Sequence, residues 1–446
     1  MKARFGTDGL RGRAGELLTP ELALALGRSA ARILAVPGRP IYLGRDTRWS
    51  GTMLAAAFAS GVAAEGIDVV DLGVVPTPLV AYMAATVGSP GAVVSASHNP
   101  YPDNGIKLFA AGGVKLRDDQ EAAIEADMAS GVAGYLADDR LGRLSAEPEA
   151  LTRYLQSLVG ALEGRDLSGA AVVLDAANGA AVATAREAFE RAGARVVEVI
   201  GADPDGTNIN SLCGSTDPAA LAEAVSRNQA TLGLAFDGDA DRVVAVDDAA
   251  GVVDGDRLLA LFATDLQARG RLIGGGVAVT VMSNLGLHAA MADAGIEVVT
   301  TQVGDRHILE ALERRGWSLG GEQSGHIVFP GIATTGDGVL TGLLLVDLVM
   351  RAGRPLSTLA GACMRKYPQV MRNVEVARRD DLDGASEIWD EVAAVEAQLA
   401  GRGRVVLRAS GTEQLVRVMV EADEAAEGDE AAQRLAAAVS RALGGP

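Results

Sequence analysis

The sequence predicts an α/β fold built as three related α/β domains followed by a smaller C-terminal α+β domain. Three observations predict it. Short apolar runs bounded by glycine or a small polar residue alternate with Ala/Leu-rich helical stretches for most of the 446 residues, the pattern of strands feeding crossover helices. An apolar strand running into a small-residue turn that contains asparagine returns three times at about a domain length. The segment after Tyr367 breaks the pattern, with two strand-like runs around an acidic helix.

Each element has a local reason. Thr19-Pro20-Glu21 sets a capping hydroxyl before a proline at the first helical position, so a helix starts there. Ile41-Tyr42-Leu43 reads as a strand, and Gly44-Arg45-Asp46-Thr47-Arg48 behind it is placed to position Arg11 or the loop around Ser97. Gly91 to Val94, Ala171 to Leu174 and Val277 to Val281 read as further strands. The echo pairs Val93–Asn99 with Val172–Asn178 and Val279–Asn284. Asp217-Pro218 repeats the Thr-Pro capping device before another helix. Seams near Glu147-Pro148, Asp254-Gly255 and Tyr367-Pro368 divide the chain into domains 1–150, 151–254, 255–366 and 367–446. In the last, Asn373–Ala377 and Arg404–Arg408 are the strands and Ala431 to Leu443 is a final helix.

Composition narrows the function. With 40 basic against 58 acidic side chains the formal charge is −18, which disfavours nucleic acid and anionic membrane surfaces as partners. A phosphorylated ligand therefore needs a local positive pocket. Apolar runs stay short of the roughly 20 residues that span a bilayer, and Met1 to Asp8 is polar, without the core of a signal peptide. Cys213 and Cys363 are the two cysteines, too few for a disulfide framework, so a reducing cytoplasm is expected. A homodimer is compatible with the chain.

Four segments carry chemistry. Ser95-Ala96-Ser97-His98-Asn99-Pro100, continuing to Lys107, follows a strand, where α/β proteins place functional groups. Ser97 is either a hydrolase nucleophile with His98 as its base or a serine that carries a phosphoryl group. Neighbouring side chains on an extended loop point apart and no Gly-x-Ser-x-Gly elbow is present, which favours the second. Asp237-Gly238-Asp239-Ala240-Asp241-Arg242 aims three carboxylates at one hard cation, and Mg²⁺ suits them. An EF-hand is disfavoured, because Arg242 stands where glycine is needed and Val243 to Val246 reads as a strand. An aspartyl phosphatase shares the Asp-x-Asp pattern, but the threonine it would carry soon after is absent from this sequence. Gly321-Glu322-Gln323-Ser324-Gly325-His326 can hydrogen-bond the hydroxyls of a sugar. Arg408, Ser410, Gly411, Thr412 and Arg417 gather donors for a phosphate dianion. Phe5 to Gly12 adds a glycine-rich turn presenting Arg11. A phosphoserine, a cation, a sugar grip and a phosphate cradle spread over four domains imply a central cleft.

These segments, with Asn208–Thr216, Val303-Gly304-Asp305-Arg306 and Thr334–Gly338, together resemble the α-D-phosphohexomutase family over essentially the whole chain. Two flanking positions depart from the branch it resembles most: Asp217 stands where histidine is frequent, and His307 where tyrosine is. The resemblance implies three α/β sandwiches and a C-terminal domain around the cleft. It implies a magnesium-dependent enzyme phosphorylated on Ser97, with Mg²⁺ held by Asp237, Asp239, Asp241 and the phosphoserine. Glu322 and Ser324 would contact sugar hydroxyls, and Arg408, Ser410, Gly411, Thr412 and Arg417 the phosphate that is not transferring. Arg11, Lys107 and Arg242 would surround the reacting oxygen, with Lys107 a proton shuttle if burial and the cation lower its pKa. The implied reaction interconverts glucosamine 6-phosphate and glucosamine 1-phosphate through a 1,6-bisphosphate. Glucose and mannose phosphates remain open as substrates, and a metal-dependent phosphatase as a different class.

Overall fold

The computed structural model describes residues 4–6, 8–131, 136–410 and 414–444. Its first sheet runs in the order Leu10–Arg13, Asp103–Ala110, Gly91–Val94, Ile41–Arg45, Val69–Val74, Leu144–Ala146, with Val114–Lys115 beside Asp103–Ala110. The second is ordered Val252–Val253, Val243–Asp247, Leu232–Phe236, Ala171–Asp175, Arg195–Ile200. The third is Glu297–Thr301, Gly276–Thr280, Gly320–Gly321, Ile327–Val328.

One plan underlies all three. A central strand pairs in parallel with a strand on each side, and one of those neighbours returns through a loop into an antiparallel strand. The central strands are Ile41–Arg45, Ala171–Asp175 and Gly276–Thr280. The returning pairs are Gly91–Val94 with Asp103–Ala110, Leu232–Phe236 with Val243–Asp247, and Gly320–Gly321 with Ile327–Val328. The three related α/β units are therefore real, but the sequence echo matched the wrong strands. It set Gly91–Val94 against Ala171–Asp175 and Gly276–Thr280, whose true counterpart is Ile41–Arg45. Asparagine-bearing turns follow strands of both kinds, so the turn residue alone could not separate them. The corrected correspondence places Ser97, the Asp237–Asp241 run and Glu322 on the same returning loop of successive units.

The C-terminal unit is an antiparallel sheet with Leu415–Ala422 between Gln369–Glu375 and Gly403–Ala409, covered by the helices Ser386–Leu399 and Ala425–Leu443. The expected elements are present, and the final helix starts earlier than Ala431. Thr19 caps the helix Pro20–Leu34 by accepting from the Leu22 N–H. The Asp217-Pro218 expectation is corrected: the helix Ala219–Asn228 starts with Pro218 itself at the cap position and no side-chain cap bond. None of the described helices is long and apolar enough to cross a membrane.

Packing sets which parts move together. One continuous apolar core runs from Tyr42 and Leu79 through Leu174 and Phe236 to Leu259 and Val346, so the three α/β units share an interior. The C-terminal unit has a core of its own around Ile388, Val418 and Leu435. Its joint to the third unit is polar. Fully buried Glu421 accepts from Asn284 Nδ2 at 3.0 Å and from Arg404 Nε at 2.6 Å.

Inside the shared core, the Tyr154 hydroxyl donates to Asp337 Oδ2 at 2.7 Å, joining the helix Glu149–Gly160 to the N-cap of Gly338–Ala352. Burial pushes the Asp337 carboxyl up to about 6. Tyr154→Phe is expected to cost about 1.5–3 kcal/mol of unfolding free energy near neutral pH, where it removes a hydrogen bond to a buried carboxylate. Below about pH 6 the carboxyl binds a proton and the bond is no longer charge-assisted, so the loss should shrink. Urea unfolding of both proteins on either side of that pH checks this.

Candidate active site

Ser97 ends the run that begins with Gly91–Val94, and it is fully buried. Its backbone is left-handed, with φ +54°, a strained setting for a residue with a β-carbon. The surroundings impose it. The Ser95 hydroxyl accepts from the Ser97 N–H at 2.9 Å and donates to Asp46 Oδ2 at 2.6 Å. Arg48, also buried, donates from Nε to Asp46 at 2.9 Å. One of its terminal nitrogens bonds the carbonyls of Pro100 at 2.6 Å and Asp103 at 3.0 Å, and the other those of Ser97 and Asn99, both at 2.8 Å. Every guanidinium donor is thereby used. The Gly44–Arg48 segment thus positions the serine loop, while Arg11 is held by Asp8 through both its backbone carbonyl and its carboxylate.

The left-handed turn changes what Ser97 faces. The expectation that Ser97 and His98 point apart assumed an extended loop; instead Ser97 Oγ lies 3.3 Å from His98 Nδ1. The hydroxyl nevertheless donates to Asp237 Oδ2. Burial, with Arg242 and Arg11 nearby, pulls the His98 imidazole down to about 4, so it is neutral at pH 7.

Asp237, Asp239 and Asp241 sit on the returning loop of the second unit, buried, with one oxygen of each within 4.8 Å of the others. Burial and the two other carboxylates push Asp237 well above the ordinary carboxylate range. Asp239 Oδ2 accepts from Thr77 Oγ1 at 2.6 Å and from Lys107 Nζ at 2.8 Å. Asp239 Oδ1 and Asp241 Oδ1 are buried without a hydrogen-bond partner, which is costly unless a cation takes them. Hard oxygen donors left over in a closed acidic loop fit a magnesium-like ion.

Lys107 is 1% exposed and reaches Asp8 and Asp239 at 2.8 Å and Asp241 at 3.3 Å. Desolvation works to lower its pKa, but the three carboxylates outweigh it and hold the ammonium well above its ordinary value. The lowering expected of a proton shuttle depends on a cation that would draw Asp239 and Asp241 away from this ammonium. Asp8 also pairs with Lys115 at 2.5 Å, and Lys115 with Asp305 at 2.9 Å, which ties the first unit to the third. The loops come close enough that a β-carbon on Gly238 would lie 2.5 Å from the Ser97 carbonyl oxygen. Gly238→Ala is expected to push the acidic loop off the serine turn and lower kcat by about 10²-fold, as misplacement of about an ångström does; steady-state kinetics checks it.

In front of these groups opens a cleft of about 370 Å³ whose lining includes Arg11, His98, Asp241, Arg242, Glu322, Arg408, Ser410 and Arg417. Residues predicted from all four parts of the sequence meet there. Ser97 and Lys107 lie buried next to this lining, 3.3 Å from His98 and from Asp241 respectively, together with buried Asp237 and Asp239. Ser324 donates to Glu322 at 3.3 Å. Arg408 stands opposite Arg417 across two strands. Burial and that like charge lower the Arg408 pKa, and its Nε lacks a partner, so an anion between them would relieve both. Gly411 and Thr412 lie outside the described residues. Sequence reasoning missed Asp8, Thr77 and Asn210 as parts of the site. Asp8 was visible within its Gly-Thr-Asp-Gly turn and Asn210 within the Asn208–Thr216 segment, but nothing local announced Thr77.

The chain matches the phosphoglucomutase/phosphomannomutase family in its α/β/α domain I over residues 2–133, domain II over 149–251, domain III over 254–367 and C-terminal domain over 371–438. The chain belongs to this family. As a phosphoglucomutase/phosphomannomutase family member it is an enzyme of the phosphohexomutase class. It is 50% identical to the phosphoglucosamine mutase of Rhodococcus opacus over 99% of this chain and all of the relative. The phosphoglucosamine mutase of Frankia alni is 50% identical over the full length of both. A phosphoglucomutase/phosphomannomutase family protein from Burkholderia thailandensis superposes with a TM-score of 0.82 at 25% identity, covering 99% of this chain and 98% of that one. The N-acetylphosphoglucosamine mutase of Aspergillus fumigatus, solved with GlcNAc-6P and magnesium, shares the fold with a TM-score of 0.71 at 20% identity, over 99% and 96% of the two chains.

Proposed function

We propose that the protein is a phosphoglucosamine mutase, interconverting glucosamine 6-phosphate and glucosamine 1-phosphate through phosphorylated Ser97. One observation carries the amino-sugar reading: the relatives sharing half of its residues across the whole chain are mutases of that sugar phosphate. The site supports the chemistry, with a serine hydroxyl on a buried carboxylate trio whose Asp241 lines a cleft that Arg11, Arg242, Arg408 and Arg417 also line.

In the forward direction phospho-Ser97 gives its phosphoryl group to the C1 hydroxyl of glucosamine 6-phosphate. The bisphosphate turns over in the cleft, and Ser97 Oγ takes back the phosphoryl group from C6. Asp237, Asp239 and Asp241 would hold Mg²⁺, which supplies charge neutralisation on the transferring group. Arg11, charged Lys107 and Arg242 surround the oxygen that gains negative charge at each transfer. His98, neutral and lining the cleft, can accept the proton released by the attacking hydroxyl. Glu322 and Ser324 hold sugar hydroxyls. Arg408, Ser410 and Arg417, with Gly411 and Thr412 of the same segment, hold the phosphate that waits. Because each end of the bisphosphate must occupy that cradle in turn, the C-terminal unit, with its separate core and polar joint, is suited to swing. Both cysteines are unpaired, in keeping with a cytoplasmic enzyme.

The test runs glucosamine, glucose and mannose 6-phosphates side by side and weighs the intact protein. Expected are the highest kcat/KM on the amino sugar and a stable phosphate on Ser97. A higher value on glucose or mannose phosphate would reassign the substrate, and phosphate release without isomerisation would make the enzyme a phosphatase.

A further inference from the structure

The segment Asn208–Thr216 stands out in the sequence, yet none of its side chains enters the cleft wall described above. It packs instead on the backbone of the serine turn. Asn210 Nδ2 donates to the carbonyls of Ser97 at 2.9 Å and Asn99 at 3.1 Å. These are the same two oxygens that one Arg48 nitrogen also holds. Both neighbours of the amide are acceptors, so its nitrogen and not its oxygen must face them. The clamp thus has one jaw from the first unit and one from the second.

We infer that Asn210 is a positioning residue for the reaction: with Arg48 it fixes the left-handed turn at Ser97, and so aims Oγ at the carboxylate trio. Three observations support it. Ser97 holds a strained φ of +54°, which persists only under restraint. A hydroxyl that alternately bears and loses a dianion pulls its turn in two directions, and the clamp grips the turn at two backbone carbonyls, independent of the hydroxyl. Asn210 is itself locked from behind, its N–H donating to the Ala177 carbonyl at 2.9 Å, while its loop neighbour Gly206 accepts from the Trp49 N–H at 2.9 Å. The second unit therefore contributes two things to the serine: the carboxylates and one jaw of the clamp.

A blander account exists. Asn210 has φ +57°, and asparagine is tolerated in that region for backbone reasons alone. Glycine and aspartate tolerate it too but give the carbonyls no donor. Asn210→Gly and Asn210→Asp, assayed with the full-length magnesium-loaded enzyme, separate the accounts. The inference rests on the mutase reading, so kcat is expressed per phosphorylated enzyme counted by intact mass, with wild type alongside. Both variants should lose about 10- to 100-fold in kcat with KM within about twofold, and the aspartate should be the worse because it sets a carboxylate against two carbonyl oxygens. Asn210→Gly within about twofold of wild type in kcat, or either variant losing through KM instead, would overturn the inference. A wild type that carries no phosphoserine and does not isomerise would instead overturn the mutase reading.

Discussion

Ser97→Ala is expected to lower kcat by at least about 10⁴-fold, the scale on which a covalent nucleophile is lost, and to leave the purified protein without its phosphate. The size follows from geometry. Ser97 Oγ is the hydroxyl that meets the carboxylate trio, and Thr77, the other side-chain hydroxyl bonded to it among the described residues, is fully buried on Asp239 at 2.6 Å. Another acceptor cannot take the phosphoryl group without rebuilding the loop. Stability should move by only about 1 kcal/mol, the worth of one hydrogen bond, because Ser95, Arg48 and Asn210 hold the turn through its backbone. The combination is diagnostic. A thermal midpoint near wild type with activity gone places Ser97 in the chemistry, whereas isomerisation retained by the alanine variant would remove it from the mechanism. Phosphate still found on Ser97→Ala protein would move the acceptor elsewhere.

How legible this was depends on the distance over which each residue acts. Strands such as Ala171–Asp175 and the capped helix after Thr19 could be placed because β-branched runs and cap chemistry are local. The acidic loop was legible because carboxylates two residues apart have few other reasons to be there. Ser97 was legible as a residue, but its environment was not. A positive φ imposed by Arg48, forty-nine positions away, turned Ser97 and His98 toward one another against the extended-loop expectation. The surroundings of Lys107 were illegible for the same reason. Its partners come from Asp8, Asp239 and Asp241, remote in sequence and close in space, and together they reverse the pKa direction that burial alone predicts. The misaligned threefold echo had a different cause: short apolar strands before asparagine turns are too alike to reveal which strand of a sheet each becomes.

Lys107→Met is where the largest loss of stability should appear, and it should be the loss that magnesium repairs best. The ammonium is buried among three carboxylates. Methionine fills much the same volume, so what is lost is the charge. Breaking a buried ion pair from one side costs about 3–5 kcal/mol, because the remaining charge has neither water nor partner. In chelator, Lys107→Met should therefore unfold at a markedly lower denaturant midpoint than wild type. Saturating magnesium should then stabilise the variant more than wild type, since a divalent cation on the trio replaces the missing charge without competing against an ammonium. Binding at about a hundred times Kd is worth about 2.7 kcal/mol, enough to return much of the deficit. The pH dependence follows from the direction of the shift. A lysine whose folded pKa lies above its unfolded value contributes stability in full below the unfolded value and loses it only as pH rises through the folded one. This group's contribution to the gap between wild type and variant should therefore stay flat up to about pH 10. Turnover should fall by about 10²-fold even with magnesium bound, because one positive charge beside the reacting oxygen is gone. Equal magnesium shifts in the two proteins would mean that the cation and the ammonium do not share Asp239 and Asp241, and that the oxygens of these residues left without a hydrogen bond serve something other than a metal.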